Sequence, residues 1–108
     1  MFSRKFIKAT ADFCTYEKNV HAPYIRKSFN LEKAPEKAVV TLTSTGFYRF
    51  FVNGKDITAS RLAPAITNPD DILFYDTYDV AEYLKDGENV FGFMLGNGIS
   101  NCMGGYIW

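Results

Sequence analysis

The sequence predicts an all-β domain, an antiparallel β-sandwich with one short helical turn. Three observations predict it. Ten Phe, seven Tyr and one Trp in 108 residues are an excess of side chains that favour pleated, half-buried surfaces. Runs of β-branched and aromatic residues recur between Gly, Pro and Asn punctuation at roughly ten-residue spacing, the pattern of a sandwich. A chain of this length buries about two-thirds of its unfolded surface, enough for one core and too little for two.

The elements follow in order. Residues 1–23 show no clear period and predict an irregular lead-in, with one short strand at Phe6–Ala9; residues 24–108 hold the sandwich. Tyr24–Leu31 reads as a strand with Ile25, Phe29 and Leu31 on one face and Lys27 as the exception. Ala34–Lys37 is a turn. Ala38–Thr45 is rich in β-branched residues and predicts a buried strand, followed by a bend at Gly46. Tyr48–Val52 and Lys55–Ile57 flank Asn53-Gly54, a hairpin signal because both central residues of a type I′ turn need positive φ. Residues 58–71 carry Pro64, Pro69 and Asp70-Asp71 and predict a long surface connection. Ile72–Tyr78 is the next strand. Asp79 and Glu82 have capping-box spacing for a helical turn near 80–85, ended by Gly87. Asn89–Leu95 is the last clear strand. Val39–Leu42 and Val90–Leu95 are apolar on both faces and are expected at the centre of a covered sheet.

Composition excludes several function classes. Twelve basic residues balance twelve acidic ones, so the basic face that drives nucleic-acid binding by counterion release is missing. A polybasic membrane patch is disfavoured for the same reason. No apolar run reaches the ~18–20 residues of a membrane helix, and no apolar stretch follows the charged N-terminus, so no secretory signal is read. With Met1 as the natural start the expected location is cytoplasmic, and Cys14 and Cys102 are expected as reduced thiols. The balance hides an asymmetry: residues 1–61 hold 11 basic and 5 acidic residues, residues 62–108 hold 1 and 7. Strands of the two halves are expected to lie side by side and pair these charges; the alternative is a polarised surface for a partner.

Five stretches, in series, resemble a known family. They are Tyr24-Ile25-Arg26-Lys27-Ser28-Phe29; Phe47 to Lys55 with its Asn-Gly-Lys ending; Leu62-Ala63-Pro64-Ala65-Ile66-Thr67; Tyr75-Asp76-Thr77-Tyr78-Asp79-Val80; and Gly87-Glu88-Asn89-Val90 with Leu95-Gly96-Asn97-Gly98. Together they look like the N-terminal domain of bacterial α-L-rhamnosidases, over about residues 24–98. The resemblance implies a jelly-roll fold similar to galactose-binding domains, and a parent glycoside hydrolase whose catalysis is done elsewhere, in an α/α-barrel domain. It implies that the chief partner is the catalytic domain of the same parent chain. The sequence departs from the family pattern at Ala65, which replaces a glycine, and at Ile99-Ser100, which replace an aromatic pair. It also stops at Trp108, where the family domain continues. An excised fragment and a shortened protein are both consistent with that stop. A sandwich cut short exposes unpaired strand edges, so self-association into dimers or larger species is expected.

Chemistry within the chain is sparse. Inverting glycoside hydrolysis needs an acid and a base with room for water between them. Asp70-Asp71 reads as a solvated turn, Asp79 and Glu82 as caps, and the resemblance places no catalytic residue here, so no catalytic residue is assigned. His21, Cys14 and Cys102 lack the paired spacing of a zinc site, and Asn68, Asp70 and Asp71 supply only part of a calcium cage; no metal or other cofactor is expected. Gly96-Asn97-Gly98 lacks the third glycine and the following helix of a phosphate loop. The remaining chemical option is a carbohydrate, rhamnosyl given the resemblance. Asn97, Asn101, Tyr106 and Trp108 are the candidate ligand-binding residues, with aromatic faces for C–H surfaces and amides for hydroxyls. The competing assignment makes Tyr106-Ile107-Trp108 core or interdomain contacts. The Phe-rich strand 47–52 is expected to be core.

Overall fold

The computed structural model describes residues 6–12, 14–65 and 71–96. Among the described residues the fold is all-β: β1 Tyr24–Leu31, β2 Val39–Leu42, β3 Tyr48–Val52, β4 Lys55–Asp56, β5 Asp76–Asp79, a 3-10 turn Ala81–Tyr83, and β6 Gly87–Leu95. The strands form two antiparallel sheets, one of four strands in the order β1-β6-β3-β4 and one of two, β2-β5. Their facing sides enclose the core.

The hairpin follows from its turn residues. Asn53 and Gly54 sit at φ 50° and 84°, the double positive φ that Asn-Gly tolerates. β3 and β4 pair through Val52↔Lys55 and Phe51↔Asp56, and Ile57 N–H still reaches the Phe50 carbonyl at 2.9 Å. β6 lies between β1 and β3, with Ile25, Phe93 and Phe50 in one cross-strand row and Lys27, Phe91 and Val52 in the next. These rows face inward, as alternation requires. Phe50 is fully buried; it stacks on Phe93 at 4.8 Å and meets Phe91 and Tyr78 edge-on. Burying one such ring contributes on the order of 2–3 kcal/mol. From the opposite layer, Val40, Leu42, Tyr78 and Val80 pack against it.

The structure corrects several expectations. Phe6–Ala9 forms no strand. Val39–Leu42 is not central: it pairs with β5 alone, and Val39 is 64% exposed. A β-branched run measures local preference for the extended state, not its cover. The strand expected at 72–78 begins only at Asp76. The 58–71 connection is not wholly superficial, since Tyr48 N–H donates to the Ala63 carbonyl at 2.9 Å and Ala63 and Pro64 are buried; the peptide between those two residues is cis. The capping box does not form. Asp79 is still in β5, opposite Val39, so Val80 becomes the N-cap, and Asp79 Oδ1 accepts Ala81 N–H across it at 3.1 Å. Gly87 has the expected positive φ of 83°, yet it opens β6 opposite Leu31 and does not end the helical turn. Phe51 is half-buried on the outer face, not in the core. Strands of the basic and acidic halves do lie side by side, as β1–β6, β3–β6 and β2–β5, but neither ion pair among the described residues, Lys18–Asp12 or Arg49–Asp56, joins the two halves.

Candidate functional site

The candidate ligand residues Asn97, Asn101, Tyr106 and Trp108 lie outside the described residues, as do Asn68, Asp70 and Cys102. Among the described residues, no group of three or more His, Cys, Asp or Glu side chains is placed to hold a metal ion, and no helix is long and apolar enough to cross a membrane. His21 is exposed in the lead-in. Among the described residues are three arrangements: two hydrogen-bonded clusters and one surface hollow.

The first cluster is a chain of hydroxyls between the sheets. Tyr48 comes from β3, and Asp76 and Tyr78 from β5. Ala59 N–H donates to Tyr78 Oη at 3.3 Å, the two phenol oxygens are 2.7 Å apart, and Tyr48 Oη donates to Asp76 Oδ2. Tyr48 has one proton and gives it to the carboxylate, so Tyr78 donates to Tyr48. Burial, then the bonds to Asp76 and Tyr78, holds the Tyr48 hydroxyl far above the usual phenol range. The chain ties the small sheet to the large one.

The second cluster is an amide clasp. Asn89 is fully buried and every polar atom of its side chain is used. Its Nδ2 donates to the carbonyls of Lys85 and Gly87 at 2.7 and 3.0 Å, and its Oδ1 accepts Lys85 N–H and Asn53 Nδ2 at 3.0 and 2.9 Å. Asn53 also donates from Nδ2 to the Tyr83 carbonyl at 2.8 Å, while its Oδ1 accepts Val90 N–H at 2.9 Å. The hairpin turn is thereby fastened to the 3-10 turn and to the start of β6. Lys55 Nζ adds a cation–π contact 4.8 Å above the Tyr83 ring. The sequence shows Asn53 as a turn residue; its second role depends on Asn89, 36 positions away, and nothing local reveals it.

Four of the described carboxylates, Asp56, Asp76, Asp79 and Asp86, serve as anchors. Burial of Asp56 opposes its ionisation, but bonds from the Thr58 hydroxyl and N–H and from Arg49 outweigh this and hold its carboxyl below the usual range. Asp86 accepts Ala34 N–H at 2.6 Å. Asp76 and Asp79 are used as described above.

The surface hollow lies on the other side of the large sheet, about 280 Å³ in volume, over β1, β6 and β3. Its walls are Tyr24 and Arg26 from β1, Phe51 from β3, and Val90 and Met94 from β6. Gly92 forms its centre, in the row Arg26–Gly92–Phe51. Tyr24 is 76% exposed. Arg26 makes no ion pair among the described residues, whereas Arg49 nearby is held by Asp56. The hollow offers an apolar seat with Arg26, which has no ion pair among the described residues, at its rim. Sequence reading missed it because Phe51 passes for core; Gly92 inside an apolar strand was the available signal.

Comparison with known proteins matches this geometry to a family. The profile of the α-L-rhamnosidase N-terminal domain matches residues 33–107. A curated α-L-rhamnosidase of Formosa agariphila is 42% identical over 77 residues, which are 71% of this chain and 8% of that protein. One from Alteromonas sp. is 33% identical over 76 residues, 69% of this chain and 8% of that protein. Among solved structures, the α-L-rhamnosidase of Dictyoglumus thermophilum superposes with a TM-score of 0.68 at 38% identity, over 71% of this chain and 9% of that one. The Streptomyces avermitilis α-L-rhamnosidase, solved in complex with L-rhamnose, gives 0.64 at 29% identity, over 68% of this chain and 7% of that one. The chain thus spans less than a tenth of the relatives it matches.

Proposed function

The chain belongs to the family of α-L-rhamnosidase N-terminal domains, and from that premise we propose that it is a non-catalytic accessory module of an α-L-rhamnosidase-like glycoside hydrolase. It packs on the catalytic domain of the same parent chain and helps shape the carbohydrate cleft. The observation that carries this reading is the family match over residues 33–107. The use made of the described carboxylates supports it: Asp56, Asp76, Asp79 and Asp86 hold backbone and side-chain donors of the module itself. Inverting hydrolysis needs two carboxyl groups facing a water-sized gap, and these four, committed to turns and hydroxyls, do not supply it. The test is an assay of the isolated chain on an aryl α-L-rhamnoside. Hydrolysis at the level of the blank is expected; turnover well above it overturns the non-catalytic assignment. In the parent enzyme, deletion of this segment is expected to lower the melting temperature of the catalytic part.

A second reading, a carbohydrate-binding module, draws on the aromatic and amide residues Asn97, Asn101, Tyr106 and Trp108 and on the L-rhamnose in the Streptomyces relative. Lone-sugar sites bind at about millimolar strength, near −4 kcal/mol. Titration with L-rhamnose while following Trp108 fluorescence separates the two readings: saturation in the millimolar range favours binding, and a flat response to tens of millimolar, on the order of ten dissociation constants, leaves the packing role alone.

A further inference from the structure

Gly92 stands in the middle of the central strand β6, where a glycine weakens the strand. Two ordinary reasons for it are missing. Its backbone does not need positive φ, since the described glycines with positive φ are Gly54 and Gly87. Nor is it crowded: among the described residues a Cβ there would meet only Phe51 Cβ, at 3.7 Å, an ordinary contact. The module's own fold therefore has room for alanine. A strand glycine without an internal reason marks a place where another backbone or ligand comes close.

We infer that the outer face centred on Gly92 is the surface on which the rest of the parent chain docks, by a segment that places an apolar side chain in the hollow and a carboxylate against Arg26. This rests on the accessory-module reading above and names the face and the chemistry of the contact. The apolar half of the prescription comes from the walls, Tyr24, Phe51, Val90 and Met94. The acidic half comes from charge complementarity: Arg26 is at the rim without an ion pair among the described residues. The source follows from length, since more than nine-tenths of each matched relative lies outside the matched segment. A central pocket filled by an apolar anchor, with a charged rim, is the usual anatomy of an interface.

The test compares the intact parent enzyme with the isolated chain. Gly92→Ala is expected to raise the melting temperature of the isolated chain by about 2–6 °C, because a strand glycine is replaced without strain. In the parent the same change is expected to speed proteolytic release of the module several-fold, and Gly92→Trp, which fills the hollow, by about tenfold or more, the equivalent of at least 1.4 kcal/mol. Arg26→Glu is expected to speed release and Arg26→Lys to leave it near wild type, the difference shrinking in high salt. Unchanged release in Gly92→Trp and Arg26→Glu, with deletion of the whole module still lowering the stability of the catalytic part, overturns the face and spares the accessory reading. Deletion without any effect overturns the accessory reading itself. Light scattering of the isolated chain supplies the remaining check: a dimer that Gly92→Trp dissolves assigns the face to a second copy and overturns the proposal, whereas an unchanged mass in wild type and variant keeps it.

Discussion

The two faces of the four-stranded sheet are made by the same strands and differ in almost everything else. In β6, Asn89, Phe91, Phe93 and Leu95 point inward, and Val90, Gly92 and Met94 outward. The inner set is sealed by rings packed edge-to-face and stacked around Phe50, and by an amide with every bond made. The outer set is half-buried at best and leaves a hollow over a glycine. Alternation delivers both patterns from one strand, but only the inner one is required for the fold. A face that is apolar without being needed for the core is where a partner is to be sought.

The sharpest way to break this contrast is to attack the inner face. Phe50→Ala should cost about 3–5 kcal/mol, because a fully buried ring leaves a cavity between two sheets; urea unfolding of the isolated chain measures it, and a loss under 1 kcal/mol would mean the core is not where the rings meet. Next in size is Asn89→Ala. It strands Lys85 N–H, two carbonyls and Asn53 Nδ2, at about 2–3 kcal/mol. Asn89→Asp separates shape from donors, since it keeps the acceptor and removes the amide hydrogens.

Tyr48→Phe should cost about 1–2 kcal/mol by removing the hydroxyl between Tyr78 and Asp76. It also has a pH signature. The folded hydroxyl titrates well above its unfolded value near 10, so its contribution is complete below about pH 10 and declines as pH rises beyond that. Wild type should lose stability in that alkaline range faster than Tyr48→Phe, and parallel curves would show that the hydroxyl chain is not buried. Asp56 has the opposite sign. Its folded pKa is lowered, so its contribution is present above the unfolded value near 4 and is lost as pH falls through the folded one; Asp56→Asn should flatten that acid limb.

The smallest effects belong to the outer face. Met94→Ser and Phe51→Ser should each change the stability of the isolated chain by no more than about 1 kcal/mol, since these side chains are at most half-buried. Losses comparable with Phe50→Ala would erase the distinction between the faces.

How much of this was legible varies residue by residue, and the reason is range. The all-β class, the strand positions apart from the late start of β5 at Asp76, the Asn53-Gly54 turn and the positive φ of Gly87 follow from local preferences, because alternation, β-branching and tolerance of left-handed φ act within a few residues. The motif order that resembles the rhamnosidase N-terminal domain is likewise a property of the chain read in line. What the tertiary structure alone decided depends on residues far apart in sequence. It put Val39–Leu42 in a two-stranded layer and Val90–Leu95 at the centre, although both look equally apolar, because cover is supplied by other strands. It turned Asn53 and Asn89 into one clasp and Tyr48, Asp76 and Tyr78 into one chain of hydroxyls. It left the basic and acidic halves without an ion pair between them among the described residues. And it turned Phe51 away from the core and set Gly92 beside it, because in an antiparallel sheet a residue's face is fixed by register with its neighbours, not by its own hydrophobicity.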